Sequence, residues 1–312
     1  MKLPSPFLQL PLRFDSAALA AEIDALGEGP WRPHPAGFPG NSMLPLLALG
    51  GNAADEGYAG SMLPTPELLR CPYLVKVLAT LGATLGRTRL MRLAGHAEVT
   101  RHVDQGYYWA ERVRVHVPIS TQPTVRFECG DEAINMAQGE CWIFDTWRQH
   151  RVLNDAVLPR THLVVDTVGG TGFWSLVARG RAVPGATPPD WSTTLVPPGP
   201  ADPSTLVLEN VNIPAIMSPW EVERQLRLVL EEAVPHASLE WLQARCRQFV
   251  LGWRGLWAHH GDAAAGAPAY RAALAGFVQE IEPVARTMQL RNGVNCMSAV
   301  ITLVAKVAVA AT

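Results

Sequence analysis

The chain has 312 residues, enough for one large core or two smaller ones, and 26 basic against 28 acidic residues give a formal net charge of -2. It contains no arginine or lysine run of the kind that neutralises phosphates, so nucleic acid is not an expected partner. Its five cysteines are scattered without a CxxC pair, which is typical of reduced thiols in a cytoplasmic protein.

Neither end of the chain predicts a membrane or export segment. The amino terminus lacks the continuous apolar stretch of a secretory signal. The apolar tail at residues 299–311 is shorter than the roughly 20 residues that span a bilayer, and it carries Lys306. We therefore expect no membrane span and a cytoplasmic location.

The first hundred residues predict two helices. Apolar residues recur at helical spacing over residues 15–26, behind Asp15 and Ser16, either of which suits a helix start. A segment rich in glycine and proline follows. The second helix is predicted from Thr65 to about Leu81, with Pro66 in the first turn, where its missing N–H costs nothing.

From Arg87 to about Val168 the pattern changes to short apolar runs separated by turns, which is typical of a β-sandwich or jelly roll. Seven prolines between positions 184 and 203 then discourage regular structure. Beyond them, Ser218 and Glu221 form a capping box that opens a helical region, with further helices near 238–259, 268–287 and 294–310.

We thus expect an α+β protein with a double-stranded β-helix, cupin-like core and flanking helices. The predicted domains are a jelly-roll domain at 1–180, a proline-rich linker or wrapping arm at 181–217 and an all-helical domain at 218–312. The helical domain is an expected surface for homodimer formation, for covering an active site or for binding a carrier.

A candidate metal pair lies in the β region at His102-Val103-Asp104, since residues two apart on a strand face the same side. The motif alone is weak, because His260-Gly261-Asp262 repeats it at the end of a predicted helix with no later histidine. The first copy is followed by His150, 46 residues after Asp104, beside the strand CWIFD. The alternative pair His96-Ala97-Glu98 has the same spacing but adjoins a predicted turn at Gly95.

Two histidines and one carboxylate on one face of an octahedral iron leave three positions free, enough for a bidentate 2-oxo acid and dioxygen. The far carboxylate of 2-oxoglutarate then requires a fixed cation, and Arg160 stands at the start of the next strand. On the strand RVRVHVPI, Arg114 and His116 alternate with three valines; if the valines pack outward, these two polar side chains point into the barrel.

The segments VTRHVDQGYYWAERVRVHVPIS and GECWIFDTWRQHRVLNDAVLPRTHLVVD together resemble the aspartyl/asparaginyl β-hydroxylase family of 2-oxoglutarate dioxygenases. The likeness covers roughly residues 30–170. It implies His102 and His150 as iron ligands and Arg114, His116 and Arg160 as contacts of the cosubstrate. His162, two residues beyond Arg160, is either a further contact or a core histidine.

Asp104 is a departure from the animal members of this family, which lack the acidic ligand; bacterial relatives that modify free amino acids or lipids keep it. The resemblance thus implies a hydroxylase that uses Fe(II), 2-oxoglutarate and O2, yields succinate and CO2, and acts on an unactivated C–H of an amino acid, free or in a peptide. The alternatives are a lipid acyl chain as substrate, or a cupin-like module that binds metal without turnover.

No acid–base pair or nucleophile beyond the metal centre is expected. Several side chains are candidates for substrate contacts. Tyr108 follows the metal pair and Trp147 precedes His150, while Asn41 and Arg92 are suited to bind a substrate carboxylate.

Overall fold

The structure is a computed structural model that describes residues 1–310, and its contacts divide the chain into two units. The first unit comprises Met1–His102 and Glu111–Asn212. The second comprises Val103–Ala110 together with the described residues from Ile213 onward. Residues 181–212 group with the first unit, and the linker expected at 181–217 stays a prediction.

Within residues 1–310, the strands lie in the first unit. They are β1 (Phe7–Phe14), β2 (Arg32–Pro33), β3 (Asn41–Leu49), β4 (Met62–Pro64), β5 (Thr84–Leu93), β6 (Glu98–His102), β7 (Val113–Ser120), β8 (Val125–Cys129), β9 (Glu132–Ile134), β10 (Glu140–Phe144), β11 (His150–Asn154), β12 (Arg160–Gly169), β13 (Arg181–Val183), β14 (Thr194–Val196) and β15 (Val207–Leu208).

Two sheets make up the β core. The larger has the order β13-β1-β10-β7-β12-β5-β3-β2, with β14, β15 and β4 paired to its members, and the smaller has the order β6-β11-β8-β9. Their main pairings are antiparallel and cross between distant parts of the sequence. This confirms the α+β class and the jelly-roll core expected from the spacing of the strands.

The helices are α1 (Ser16–Asp24), α2 (Pro66–Leu69), α3 (Pro72–Thr80), α4 (Tyr107–Ala110), α5 (Thr171–Ala178), α6 (Pro219–Glu232), α7 (Leu239–His260), α8 (Ala267–Ala285) and α9 (Cys296–Val300). The single helix predicted from Thr65 to Leu81 is instead two. A residue before proline is pushed out of helical geometry, and Cys71, which precedes Pro72, has φ -119° and ψ 76°.

Successive side chains of β7 point to opposite faces of the larger sheet. Val113, Val115 and Val117 belong to the large core that includes Leu19 and Ile23 of α1. The other face of the larger sheet meets the smaller sheet, where aromatic and aliphatic residues such as Phe127 and Phe144 form a second core. The polar residues of β7 lie on this inner side, as predicted for Arg114 and His116.

The second unit is helical. Ser218 caps α6 by accepting a hydrogen bond from the backbone N–H of Glu221, as the sequence predicts. Phe249 of α7 and Phe277 of α8 stack with ring centroids 4.1 Å apart. The helix predicted at 294–310 is α9 followed by a short π-helix at Ile301–Ala305. Within residues 1–310, no helix has the length and apolar character needed to cross a membrane.

Candidate metal centre

His102 and His150 stand opposite each other on neighbouring strands. His102 ends β6 and His150 begins β11, and the two residues are directly paired in the antiparallel ladder. Cross-strand neighbours in such a ladder project from the same face of the sheet. Their imidazole centroids are accordingly 4.2 Å apart.

Both rings are oriented by the backbone in the same way. The Nδ1 of His102 lies 2.7 Å from the carbonyl oxygen of Thr100, and the Nδ1 of His150 lies 2.9 Å from that of Arg148. A carbonyl only accepts, so each Nδ1 carries the proton and each Nε2 keeps its lone pair. This is the tautomer that a metal-binding histidine requires, held by an outer hydrogen bond.

Asp104 supplies a carboxylate beside these rings. Ligand atoms of His102, Asp104 and His150 all lie within 4.8 Å of one another, and ligands on one face of an octahedral ion at about 2.1 Å each would lie about 3 Å apart. His96 and Glu98 are not in this group, and His96 occupies a turn with φ 57°. The second HxD copy ends α7, where Gly261 is the C-cap.

A buried cationic cluster lies on the inner face of β12 and β7. Arg160 is 4% exposed and donates from Nη2 to Nδ1 of His162 over 2.9 Å. The Nδ1 of His116 lies 3.3 Å from that same nitrogen. Among residues 1–310, no hydrogen-bond partner is present for Nε of Arg160 or for Nε2 of either histidine.

Burial is the main cause of the pKa shifts in this cluster. It lowers the pKa of the Arg160 guanidinium to about 9. Burial, reinforced by the charge of Arg160, lowers the pKa of His116 and of His162 well below the ordinary value of 6.5. Both imidazoles are therefore neutral at physiological pH, and Arg160 is the cation of the cluster.

The cluster borders a small, partly open pocket with about 170 Å³ of empty space, a volume that includes open solvent. Its walls combine polar and apolar side chains, namely Thr121, Val125, Phe127, Met136, Val152, Arg160 and His162. Thr121 Oγ1 also has no hydrogen-bond partner among the described residues. The buried guanidinium of Arg160, the Nε2–H of His162 and the hydroxyl of Thr121 are donors beside this pocket, and a carboxylate, which accepts hydrogen bonds, fits them.

Arg114 lies further along the same face and is paired with a carboxylate. Its Nε donates to Asp166 over 2.9 Å, and Arg87 Nε approaches the other oxygen of Asp166 at 3.9 Å. Asp166 is 1% exposed, so this is a buried network. The strand register places Asp166 opposite Arg114 and six residues beyond Arg160.

The four expected substrate contacts fall into two groups. Asn41 and Arg92 line an open cleft formed by residues of the 28–42 segment with Ala94 and Pro159. Arg92 is held there by Glu28 and lies over the ring of Trp31 at 4.1 Å. Tyr108 and Trp147 are 2% and 4% exposed. Their substrate role stays a prediction.

Sequence reasoning missed several polar residues of this region. Arg87 and Arg89 alternate on β5 as Arg114 and His116 do on β7, and the run RTRLMRL carried that signal. His34 also lacked a signal, since it lies in an irregular segment rich in glycine and proline. In the structure the ring of Phe38 bridges His34 and His102, with centroid distances of 6.3 and 6.0 Å.

Residues 58–169 match the model of the family described as aspartyl/asparaginyl beta-hydroxylase. Comparison with curated proteins gives no match. Among solved structures the chain is similar to a Pseudomonas putida prolyl-4-hydroxylase, with 16% identity, coverage of 53% of this chain and 92% of that one, and a TM-score of 0.37.

Two further structures are similar at the same level. A Trichoplax adhaerens prolyl hydroxylase in complex with a peptide fragment of hypoxia inducible factor has 11% identity, coverage of 55% and 87%, and a TM-score of 0.39. Streptomyces hygroscopicus HygX, with nickel and 2-oxoglutarate bound, has 14% identity, coverage of 54% and 84%, and a TM-score of 0.36.

The matched segment contains all three candidate metal ligands and the Arg160 cluster. The family model thus confirms the resemblance that the motifs indicated. Over residues 58–169 the chain is therefore similar to the aspartyl/asparaginyl beta-hydroxylase family.

Proposed function

We propose that the protein is a hydroxylase that binds Fe(II) through His102, Asp104 and His150 and acts on an unactivated C–H of an amino acid, free or within a peptide. The observation that carries this proposal is the association of a two-histidine, one-carboxylate group with the buried Arg160 cluster. A metal-binding module without turnover has no need for a buried guanidinium that lacks a carboxylate.

Arg160 is the proposed partner of the distal carboxylate of 2-oxoglutarate. Its guanidinium is fixed through His162, and its planar fork suits a carboxylate better than the point charge of a lysine. His116 and Arg114 are the proposed contacts nearer the metal. Because they are two residues apart on β7, both side chains lie on the inner face of the sheet.

Iron with 2-oxoglutarate and O2 supplies the oxidising chemistry, and the products are succinate, CO2 and the hydroxylated substrate. The protein's own part is positional. Backbone carbonyls orient the ligand imidazoles, and Arg160 would orient the cosubstrate. Asn41, Arg92, Tyr108 and Trp147 are proposed to contact the substrate.

The test is succinate release from 2-oxoglutarate with Fe(II) and O2, measured with and without a panel of amino acids and short peptides. We expect a slow background that rises with a true substrate and is abolished in His102→Ala. Arg126→Gln is the matched control, because Arg126 forms an exposed pair with Asp155 on the smaller sheet. Absence of any turnover, together with unchanged metal affinity in His102→Ala, would overturn the hydroxylase proposal.

A further inference from the structure

A groove runs between α6 and α7 in the second unit. One side is formed by residues of α6 between Glu223 and Leu230, which are spaced three and four apart and therefore share one face of that helix. The other side is formed by residues of α7 between Cys246 and Arg254. None of the lining residues is a candidate metal ligand or a proposed cosubstrate contact. The groove is therefore a separate candidate binding site.

The floor of the groove is apolar and uncharged. Leu226, Cys246 and Val250 are 2%, 3% and 6% exposed, and Leu230 beside them is half-buried. Burial raises the pKa of the Cys246 thiol to about 12, so the thiol stays protonated at physiological pH. Leu251, which is 65% exposed, extends the apolar surface to the rim. A ligand that covers the floor and Leu251 would remove apolar surface from water.

The rim of the groove carries more positive than negative charge. Arg227, Arg247 and Arg254 line it together with one carboxylate, that of Glu223. With Glu231, whose carboxylate lies 3.9 Å from Nε of Arg227, three guanidiniums meet two carboxylates. The three arginines are exposed, so water solvates them and the fold needs no further anion. Their effect is on the ligand, since they attract an anion to the groove and repel a cation.

The excess charge lies towards one end of the groove. Arg254 donates from Nη2 to Glu223 over 2.6 Å, so the last lining residue of α7 meets the first lining residue of α6 and the two helices run in opposite directions. Arg247 and Leu230 consequently lie at the other end, and Arg227 is less than one turn of α6 before Leu230. An anionic head group at that end would meet two guanidiniums, whereas Glu223 already matches the charge of Arg254.

The dimensions of the groove fit a small molecule. Its lining extends from Glu223 to Leu230 and from Cys246 to Arg254, which is roughly 10–12 Å at 1.5 Å per residue. An extended acyl chain of about eight carbons, with C–C bonds of about 1.5 Å, spans a similar distance. The empty space is about 750 Å³, including open solvent, which is a size typical of small-molecule sites. One side of a stable protein interface uses roughly 20–30 residues, many more than line this groove.

We propose that this groove binds a medium-chain fatty acid, with the carboxylate between Arg227 and Arg247 and the acyl chain along the floor towards Leu251. A monoanionic head group matches the single excess positive charge of the rim. An arginine fork binds a carboxylate through two parallel hydrogen bonds. The chain covers Leu226 and Val250, which supply the apolar contact. The site does not depend on the proposed hydroxylase function.

Calorimetric titration of the full chain with octanoate, octanol and octyltrimethylammonium tests the proposal, because the three probes share one chain length and differ in charge. Saturating Mn(II) and 2-oxoglutarate are present under anaerobic conditions, so that octanoate does not occupy the pocket at Arg160. We expect octanoate to bind at one site and octanol to bind about tenfold or more weakly. The cationic probe should not bind, because the rim repels it.

Three variants at exposed or half-buried positions locate the bound probe. Arg247→Gln should weaken octanoate about tenfold and leave octanol unchanged, because it removes only the charge. Leu251→Ser should weaken both probes by about threefold, since both lose the same apolar contact. Arg245→Gln is the matched control and should bind octanoate like wild type, because Arg245 lies on the same helix but pairs with Glu280 and does not line the groove.

Several results would overturn the proposal. Wild type that does not bind octanoate, or binds it no more tightly than octanol, would exclude an anionic amphiphile. Octanoate binding that is unchanged in Arg247→Gln would place the probe elsewhere. A dimer seen by sedimentation, lost in both Arg247→Gln and Leu251→Ser and unaffected by octanoate, would identify a second copy of the chain as the occupant. Octanoate binding in a protein that does not bind 2-oxoglutarate would count against the hydroxylase proposal alone and support this site.

Discussion

Arg160 and His162 form a buried contact in which the guanidinium donates from Nη2 to the imidazole Nδ1 over 2.9 Å. The contact requires a neutral ring, since a protonated imidazole has no acceptor. It places one permanent cation beside two imidazoles whose pKa is depressed. We therefore expect these protonation states to determine how the stability of the protein and its affinity for the cosubstrate depend on pH.

Acid should destabilise the fold before the carboxylates titrate. In the unfolded chain His116 and His162 take up protons near pH 6.5, whereas burial keeps them neutral in the folded protein. The unfolded state then binds more protons, so the free energy of unfolding falls as pH drops below 6.5, by about 1.4 kcal/mol per pH unit for each histidine. Urea unfolding between pH 5 and 7 measures this slope, and His162→Asn should remove roughly half of the part due to this pair.

Cosubstrate affinity should be nearly independent of pH between 6 and 8. Arg160 remains a cation there because its pKa, though lowered, is about 9, and the neighbouring imidazoles stay neutral. Calorimetry with 2-oxoglutarate across this range provides the measurement. A change of tenfold centred near pH 6.5 would mean that one of these histidines titrates in the folded protein, contrary to its depressed pKa.

The two HxD motifs provide a matched comparison of metal binding. His150→Ala and His102→Ala should each weaken Mn(II) binding by about 100-fold, because a first-row metal that loses one of three protein ligands keeps mostly water. His260→Ala, at the end of α7, should bind Mn(II) like wild type. Equal losses in His260→Ala and His102→Ala would contradict the assignment of the site.

A buried ion pair in the first unit should be important for stability. Arg112 Nε donates to Glu209 over 2.7 Å, and the two side chains are 3% and 2% exposed. Glu209→Ala should reduce the free energy of unfolding by about 3–5 kcal/mol, because it leaves the guanidinium buried without its carboxylate. The exposed pair of Arg126 and Asp155 is the control, and Asp155→Ala should cost less than about 1 kcal/mol.

Much of this architecture could be predicted from short-range patterns. The alternation of RVRVHVPI placed the valines outside and Arg114 and His116 inside, and the cap at Ser218 fixed the start of α6. Pro72 ended one helix and began the next, but the prediction ran through it because the apolar spacing continued. The spacing of apolar residues carries no information about the backbone restriction that a proline imposes on the preceding residue.

The parts that escaped prediction depend on pairing between distant strands. Asp166 meets Arg114 only because β12 lies beside β7, and His34 approaches the arginines of β5 through an irregular segment. Register between strands far apart in sequence is set by the whole sheet, so it could not be read from either strand alone.

The central claim is that the metal and 2-oxoglutarate share one site, and calorimetry with 2-oxoglutarate on Mn(II)-loaded and metal-free protein tests it most directly. We expect Mn(II) to tighten 2-oxoglutarate binding by at least about tenfold in wild type, because the bound metal and Arg160 would interact with opposite ends of the same molecule. His150→Ala should abolish this enhancement, and Arg160→Gln should weaken binding in both states. Equal affinity with and without Mn(II) in wild type would contradict the account.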